Sequence, residues 1–117
     1  MIEHLTKDSF KQKVFDYQNS RVYRFEGERP VVIDFYTNWC VPCKAIASIL
    51  EELQQEYEGK VDIYKVDSDM EKELVEAFNV RSIPTLIFVP MEGQPQVGCG
   101  AVSKGELKLF FRQVFHI

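Results

Sequence analysis

The chain has 117 residues, 45% of them hydrophobic and 27% charged, a globular composition that argues against disordered, collagen-like or coiled-coil chains. Lys and Arg total 14 against 18 Asp and Glu, for a net charge of −4, so the cationic excess that marks a nucleic-acid or anionic-membrane binder is missing. No apolar run approaches the length of a membrane span, and a chain this long can bury close to two-thirds of its unfolded surface without a metal or disulfide staple.

The residues Met1 to Asp8 are too polar for the core of a signal peptide. A cytoplasmic protein is therefore expected, with an exported protein that has lost its leader as the alternative, and the chain is expected to act as a monomer. The 3 cysteines are an odd number, which does not suit an extracellular disulfide framework. No repeat or low-complexity linker interrupts the chain, and residues 1–117 read as one domain.

Ile2 to Leu5 reads as a short edge strand. Thr6 suits the N-cap of a helix running through Phe10, Val14 and Tyr17. Val22 to Phe25 is a weak strand candidate, closed by a turn over Glu26-Gly27-Glu28-Arg29-Pro30. Val31 to Tyr36 is nearly all apolar and rich in β-branched and aromatic residues, the pattern of a strand buried on both faces. Ile46, Ile49, Leu50, Leu53 and Tyr57 then fall on one helical face. Pro42 fits that helix's first turn, and Gly59 is expected to end it. Val61 to Val66 alternates as a strand, and Leu74, Val75 and Phe78 make a short helix with Asn79 able to close it in the left-handed conformation. Pro84 to Val89 is a second apolar strand, turned at Gly93 into a partner over Gln96 to Cys99. Ser103 to Glu106 is a capping box, followed by a helix with Leu107, Phe110, Phe111, Val114 and Phe115 on one face. The class is α/β: a mixed sheet of four or five strands with helices on both faces.

Cys40-Val41-Pro42-Cys43 carries the sharpest chemical signal. A gap of two residues at the start of a helix brings both sulfurs within bonding distance. The helix N-terminus carries about half a positive charge, which favours a thiolate, and the thiolate is the attacking species in thiol–disulfide exchange. Cys40 precedes the helix and should be accessible. Cys43 lies one turn in, should be shielded, and should attack second. A zinc half-site is the lesser reading, because zinc takes four ligands and only Cys99, His4, His116 and scattered carboxylates remain.

Asp34 lies inside the run Val31 to Tyr36. A carboxylate there is costly unless paired or protonated. It is either a strand-end residue facing water or, as favoured here, a buried acid–base group that takes the proton of Cys43. The Ile83–Pro84 bond is open to the cis form, which sequence does not decide. Cys99 is expected to be a small buried apolar residue, with a third reactive thiol as the alternative. His4 and His116 receive no role.

In combination, these segments resemble the thioredoxin family over nearly the whole chain. The resemblance rests on Asp34-Phe35-Tyr36, Trp39-Cys40-Val41-Pro42-Cys43-Lys44, Lys65-Val66-Asp67, Arg81-Ser82-Ile83-Pro84-Thr85, and Gly100-Ala101 before Ser103 to Leu107. It implies the thioredoxin fold and a protein-disulfide reductase. Cys40 takes the attacking role, Cys43 resolves, Asp34 is the buried acid–base group and Lys65 lies beside it. Pro84 would be cis and face the disulfide. Trp39, Ile83 and Gly100, with Val41, Pro42 and Pro84, would form the shallow apolar surface that receives extended substrate chains. The implied partners are disulfide-containing proteins and, as electron donor, a flavin-dependent thioredoxin reductase using NADPH. No metal or organic cofactor is implied, since the dithiol is itself the redox centre.

The chain departs from the family pattern in four places. Val41 replaces the usual glycine between the cysteines, Ser48 replaces a kinking proline and so predicts a straighter helix, residues 17–30 are longer than in the shortest members, and Cys99 replaces an aliphatic residue. Pro42 stands where oxidants and isomerases tend to have His, which points to a reductant with a potential near −270 mV, on the order of thioredoxin itself. Two further readings stay open: an exported reductase fed by a membrane donor, and a binding module whose dithiol state switches its grip on a partner.

Overall fold

The computed structural model describes residues 2–16, 27–100 and 102–117, with the backbone alone of Cys99. Along the chain run β1 (Glu3–His4), α1 (Lys7–Lys13), β2 (Val31–Tyr36), α2 (Val41–Glu56), β3 (Asp62–Asp67), α3 (Lys72–Ala77), β4 (Thr85–Val89), β5 (Gln96–Cys99) and α4 (Lys104–Phe110), which continues as a π-helical turn over Phe111–Phe115. The five strands form one sheet in the order β1-β3-β2-β4-β5. β3 pairs parallel with β1 and β2, while β4 pairs antiparallel with β2 and β5. The expected mixed sheet is thus present, with five strands among the described residues.

β2 lies at the centre, and its alternation divides the core. Val31, Ile33 and Phe35 face one side, where they pack with Phe10 of α1 and Leu74 of α3. Val32 faces the other, with Ile46, Leu50 and Leu53 of α2 and with Leu107, Phe111 and Phe115. Each such apolar side chain contributes about 2 kcal/mol on burial. β3 departs from simple alternation, because Ile63 and Val66 project to opposite faces and both are buried. The reason is position: β3 is interior, between β1 and β2, so helices cover both of its sides.

The local signals mostly act as their chemistry suggests. Thr6 and Ser9, and Ser103 and Glu106, form reciprocal capping boxes at α1 and α4. Asn79 takes the left-handed conformation at φ +52° beyond α3. α2 closes at Glu56, with the Tyr57 amide donating to the Leu53 carbonyl, and Gly59 lies in the following turn at φ +79°. At Ser48 the helix runs unbroken, and the hydroxyl bonds back to the Lys44 carbonyl at 3.5 Å. α1 is shorter than expected: it ends at Lys13, where the Val14 and Phe15 amides both turn onto the Phe10 carbonyl. Tyr17, the strand candidate Val22 to Phe25 and Ala101 lie outside the described residues.

Candidate active site

The site lies at the edge where β2 ends and α2 begins. β4 runs antiparallel to β2, so its first residue, Thr85, sits opposite Phe35, and Cys99 of β5 sits opposite Thr85. The loop of residues 37–40, the Ile83–Pro84 turn and Gly100 therefore gather at one end of the sheet, together with residues 68–70 that follow the parallel strand β3.

Cys40 is the N-cap of α2, in an extended conformation at φ −90° and ψ 113°. Its Sγ accepts the Cys43 amide N–H at 3.2 Å, which satisfies a donor that the helix leaves unpaired. Pro42 occupies the first turn, where no intrahelical N–H is needed. Cys40 and Cys43 are joined as a disulfide across a Cα–Cα distance of 5.3 Å. The expected contrast in exposure is not found in this oxidised form: Cys40 is 6% exposed and Cys43 3%. Both cysteines are buried where the disulfide closes at the first turn of α2.

The exposed surface beside the disulfide comes from its neighbours. Trp39 is 72% exposed, and Val41 projects outward as well. The Trp39 indole N–H donates to Asp69 Oδ2 at 3.1 Å, and the Asp69 amide donates to Asp67 Oδ1 at 3.0 Å. Asp69 did not emerge from sequence reasoning. The signal was the short polar turn Asp67-Ser68-Asp69 at the end of a strand parallel to β2, which brings it beside the 37–40 loop.

The Ile83–Pro84 peptide is cis. Pro84 is buried and Ile83 half-buried. The turn is tied on both sides: Thr85 Oγ1 donates to the Ser82 carbonyl at 2.6 Å, and the Gly100 amide donates to the Pro84 carbonyl at 3.0 Å. Gly100 has φ +85°, a conformation that glycine adopts without the Cβ clash of other residues. The side chain of Cys99 lies outside the described residues.

Asp34 is 1% exposed on the face of β2 that α2 covers, which rules out the solvent-facing reading. Its register partner on β3 is Lys65. Asp34, Lys65 and Cys43 line one cavity of about 170 Å³ beneath the start of α2, shared with Tyr36, Thr37 and Lys44. Burial pushes the Asp34 carboxyl from its ordinary 3.8 up to about 7, against the opposing pull of the Lys65 charge. Asp34 Oδ1 and Thr37 Oγ1 find no hydrogen-bond partner among the described residues. The structure thus brings Asp34 and Lys65 together beside Cys43. A larger cavity, about 500 Å³, opens at the other end of β3 beside Asp62, Arg29 and Glu58 and holds none of these groups.

His4, to which no role was assigned, forms a 2.7 Å hydrogen bond through Nε2 with the Tyr36 hydroxyl. His116 lies at the C-terminal end beyond the last helical turn, at φ +61°. No helix among the described residues is long and apolar enough to cross a membrane.

The thioredoxin family model matches residues 1–113. The chain is 42% identical over 111 residues to the thioredoxin of Borreliella burgdorferi, covering 95% of both chains. It is 37% identical over 112 residues to thioredoxin C-2 of Corynebacterium nephridii, covering 96% of this chain and 94% of that one. It is 34% identical over 103 residues to thioredoxin 1 of a Nostoc species, covering 88% and 87%. With a helix-capping cysteine pair two residues apart joined at the end of the central strand, the chain belongs to the thioredoxin family and is a thiol–disulfide oxidoreductase of the protein-disulfide reductase type.

Proposed function

We propose that this chain reduces protein disulfides through Cys40, with Cys43 as the resolving thiol and Asp34 as its acid–base partner. In the reduced protein the Cys40 thiolate attacks one sulfur of a substrate disulfide. A mixed disulfide forms, and the other substrate sulfur leaves as a thiolate that takes a proton from water. Cys43 then gives its proton to the Asp34 carboxylate and attacks Cys40 Sγ. The Cys40–Cys43 bond forms as the mixed disulfide breaks, and the second substrate sulfur leaves as a thiolate that takes a proton from water, while the Asp34 carboxyl returns its proton to solvent. Two electrons pass to the substrate, and the dithiol is restored by a thioredoxin reductase drawing on NADPH.

The observation that carries this reading is the position of Cys40 Sγ, which accepts the Cys43 amide at the positive end of a 16-residue helix. That field stabilises negative charge on the sulfur. The role of Asp34 is supported by the cavity it shares with Cys43 and by a carboxyl raised to about 7, where both protonation forms are populated at neutral pH. Lys65 opposes full neutralisation of that carboxyl. Trp39, Val41, Pro42, Ile83, Pro84 and Gly100 form the substrate surface in this reading, supported by their gathering at one end of the sheet and by the exposure of Trp39 and Val41. The dithiol acts with no metal or organic cofactor. A potential near −270 mV, on the order of thioredoxin itself, makes the dithiol a strong reductant that an NADPH-driven reductase, rather than the glutathione pool, keeps reduced, and the cytoplasm is its proposed place of action.

Insulin reduction driven by dithiothreitol tests the reading. Turnover is expected to vanish in Cys40→Ser and Cys43→Ser and to persist in Cys99→Ser. Full activity in Cys40→Ser refutes it. Coupling to NADPH and thioredoxin reductase then tests the proposed donor.

A further inference from the structure

Four polar side chains stand close together on the face of the sheet that α2 covers. His4 on β1 is the register partner of Lys65 on β3, and Lys65 is the register partner of Asp34 on β2. Tyr36, two residues beyond Asp34, projects from the same face. At the outer end of the group the His4 and Tyr36 rings lie 5.8 Å apart, joined by the Nε2–hydroxyl hydrogen bond of 2.7 Å. Lys65 Nζ lies over the Tyr36 ring, 5.3 Å from its centre, within the range of a cation–π interaction. Tyr36, Lys65 and Asp34 line the cavity that also reaches Cys43. A lysine stem on a sheet ordinarily carries its ammonium out to water. Here an aromatic face holds it over the sheet instead.

We propose that Tyr36, braced by His4, is a positioning residue for the exchange reaction: its ring keeps the Lys65 ammonium beside Asp34 and so sets the pH at which the Asp34 carboxyl releases its proton. The inference rests on the reading of Asp34 given above. The groups that face Asp34 are Lys65 from β3, Tyr36 from β2, and Cys43 and Lys44 from α2, while β4 presents the apolar Leu86. Asp67, at the end of β3, acts on Tyr36: after burial, its charge and that of Asp34 push the phenol further up, so the hydroxyl keeps its proton at neutral pH. An ammonium beside a carboxyl favours the charged form, so releasing Lys65 to solvent moves the Asp34 midpoint upward.

Carbon-13 NMR of the Asp34 carboxyl in the oxidised protein follows this titration directly and needs no turnover. Lys65→Met is expected to raise the midpoint. Tyr36→Leu raises it by part of that shift, and the double variant goes no further than Lys65→Met alone, because the ring acts only through the ammonium. Tyr36→Phe keeps the ring and stays closer to the native midpoint than Tyr36→Leu. His4→Ala, which breaks the same hydrogen bond, matches Tyr36→Phe. Tyr36→Met, with comparable length and no aromatic face, replaces Tyr36→Leu if that variant does not fold. An unmoved midpoint in the ring-less variant, or shifts that add in full to those of Lys65→Met, overturns the proposal. If Asp34→Asn leaves insulin turnover unchanged, the acid–base role falls, while the titration still decides whether Tyr36 positions Lys65.

Discussion

Replacing Asp34 with asparagine keeps the size of the side chain and removes its ionisation. In the unfolded chain the carboxyl titrates near 3.8, whereas burial raises it to about 7 in the fold. Below both values the group is protonated in either state, so native protein and variant differ only by the exchange of one neutral buried group for another. Between them the folded state holds a proton that the unfolded state has lost. Stability of the native protein then falls as pH rises, by about 1.4 kcal/mol per pH unit. Over the interval of about three units the gap in favour of Asp34→Asn reaches on the order of 4 kcal/mol, and above about pH 7 it levels off. Guanidinium unfolding of the oxidised protein and the variant from pH 4 to pH 9 measures this directly, because the contributions of all other groups largely cancel in the difference. The variant is expected to be the more stable protein at pH 8, with the gap growing from acid to neutral pH. A gap that is constant with pH, or that narrows as pH rises, refutes the assignment of a destabilised carboxylate beneath α2.

Three more outcomes are expected. The rate at which the mixed disulfide resolves, followed by stopped-flow with a fluorescent substrate, should rise through about pH 7 as Asp34 becomes the carboxylate that accepts the Cys43 proton, and Asp34→Asn should lack that inflection. Pro42→His places an imidazole beside the helix start, where it stabilises the reduced thiolate, so equilibration with glutathione should give a less negative potential; a value unchanged or more negative contradicts the reasoning. Leu50→Ala opens a cavity in the fully buried layer between α2 and the sheet and should cost about 2–5 kcal/mol in urea unfolding while leaving the disulfide chemistry in place.

Much of the architecture was legible because its signals are short-range. The run Val31 to Tyr36, apolar but for Asp34 and Tyr36, has the pattern of a strand covered on both sides, and the structure buries all of it except the half-buried Tyr36. The N-cap at Thr6, the capping box at Ser103, the early proline in α2 and the left-handed Asn79 each follow from a few neighbouring atoms. The expected extension of α1 to Tyr17 failed at Lys13, since helical periodicity continues past the point where the backbone turns away. The exposure difference between the two cysteines failed for another reason: position in the helix says nothing of how the closed disulfide packs.

From its amino acids alone the chain declares its chemistry, for a cysteine pair at a strand-to-helix junction needs only the helix field and the two-residue gap to make a redox centre. Strand order, by contrast, is a matter of partners distant in sequence. Only the assembled sheet sets Lys65 opposite Asp34, His4 opposite Lys65, and the Asp69 carboxylate against the Trp39 indole. The isomer of the Ile83–Pro84 bond was likewise decided there. The acidity of Asp34 is the clearest case, since it depends on what lies above and beside the carboxyl once α2 and β3 have closed over it, and no local stretch of residues carries that information.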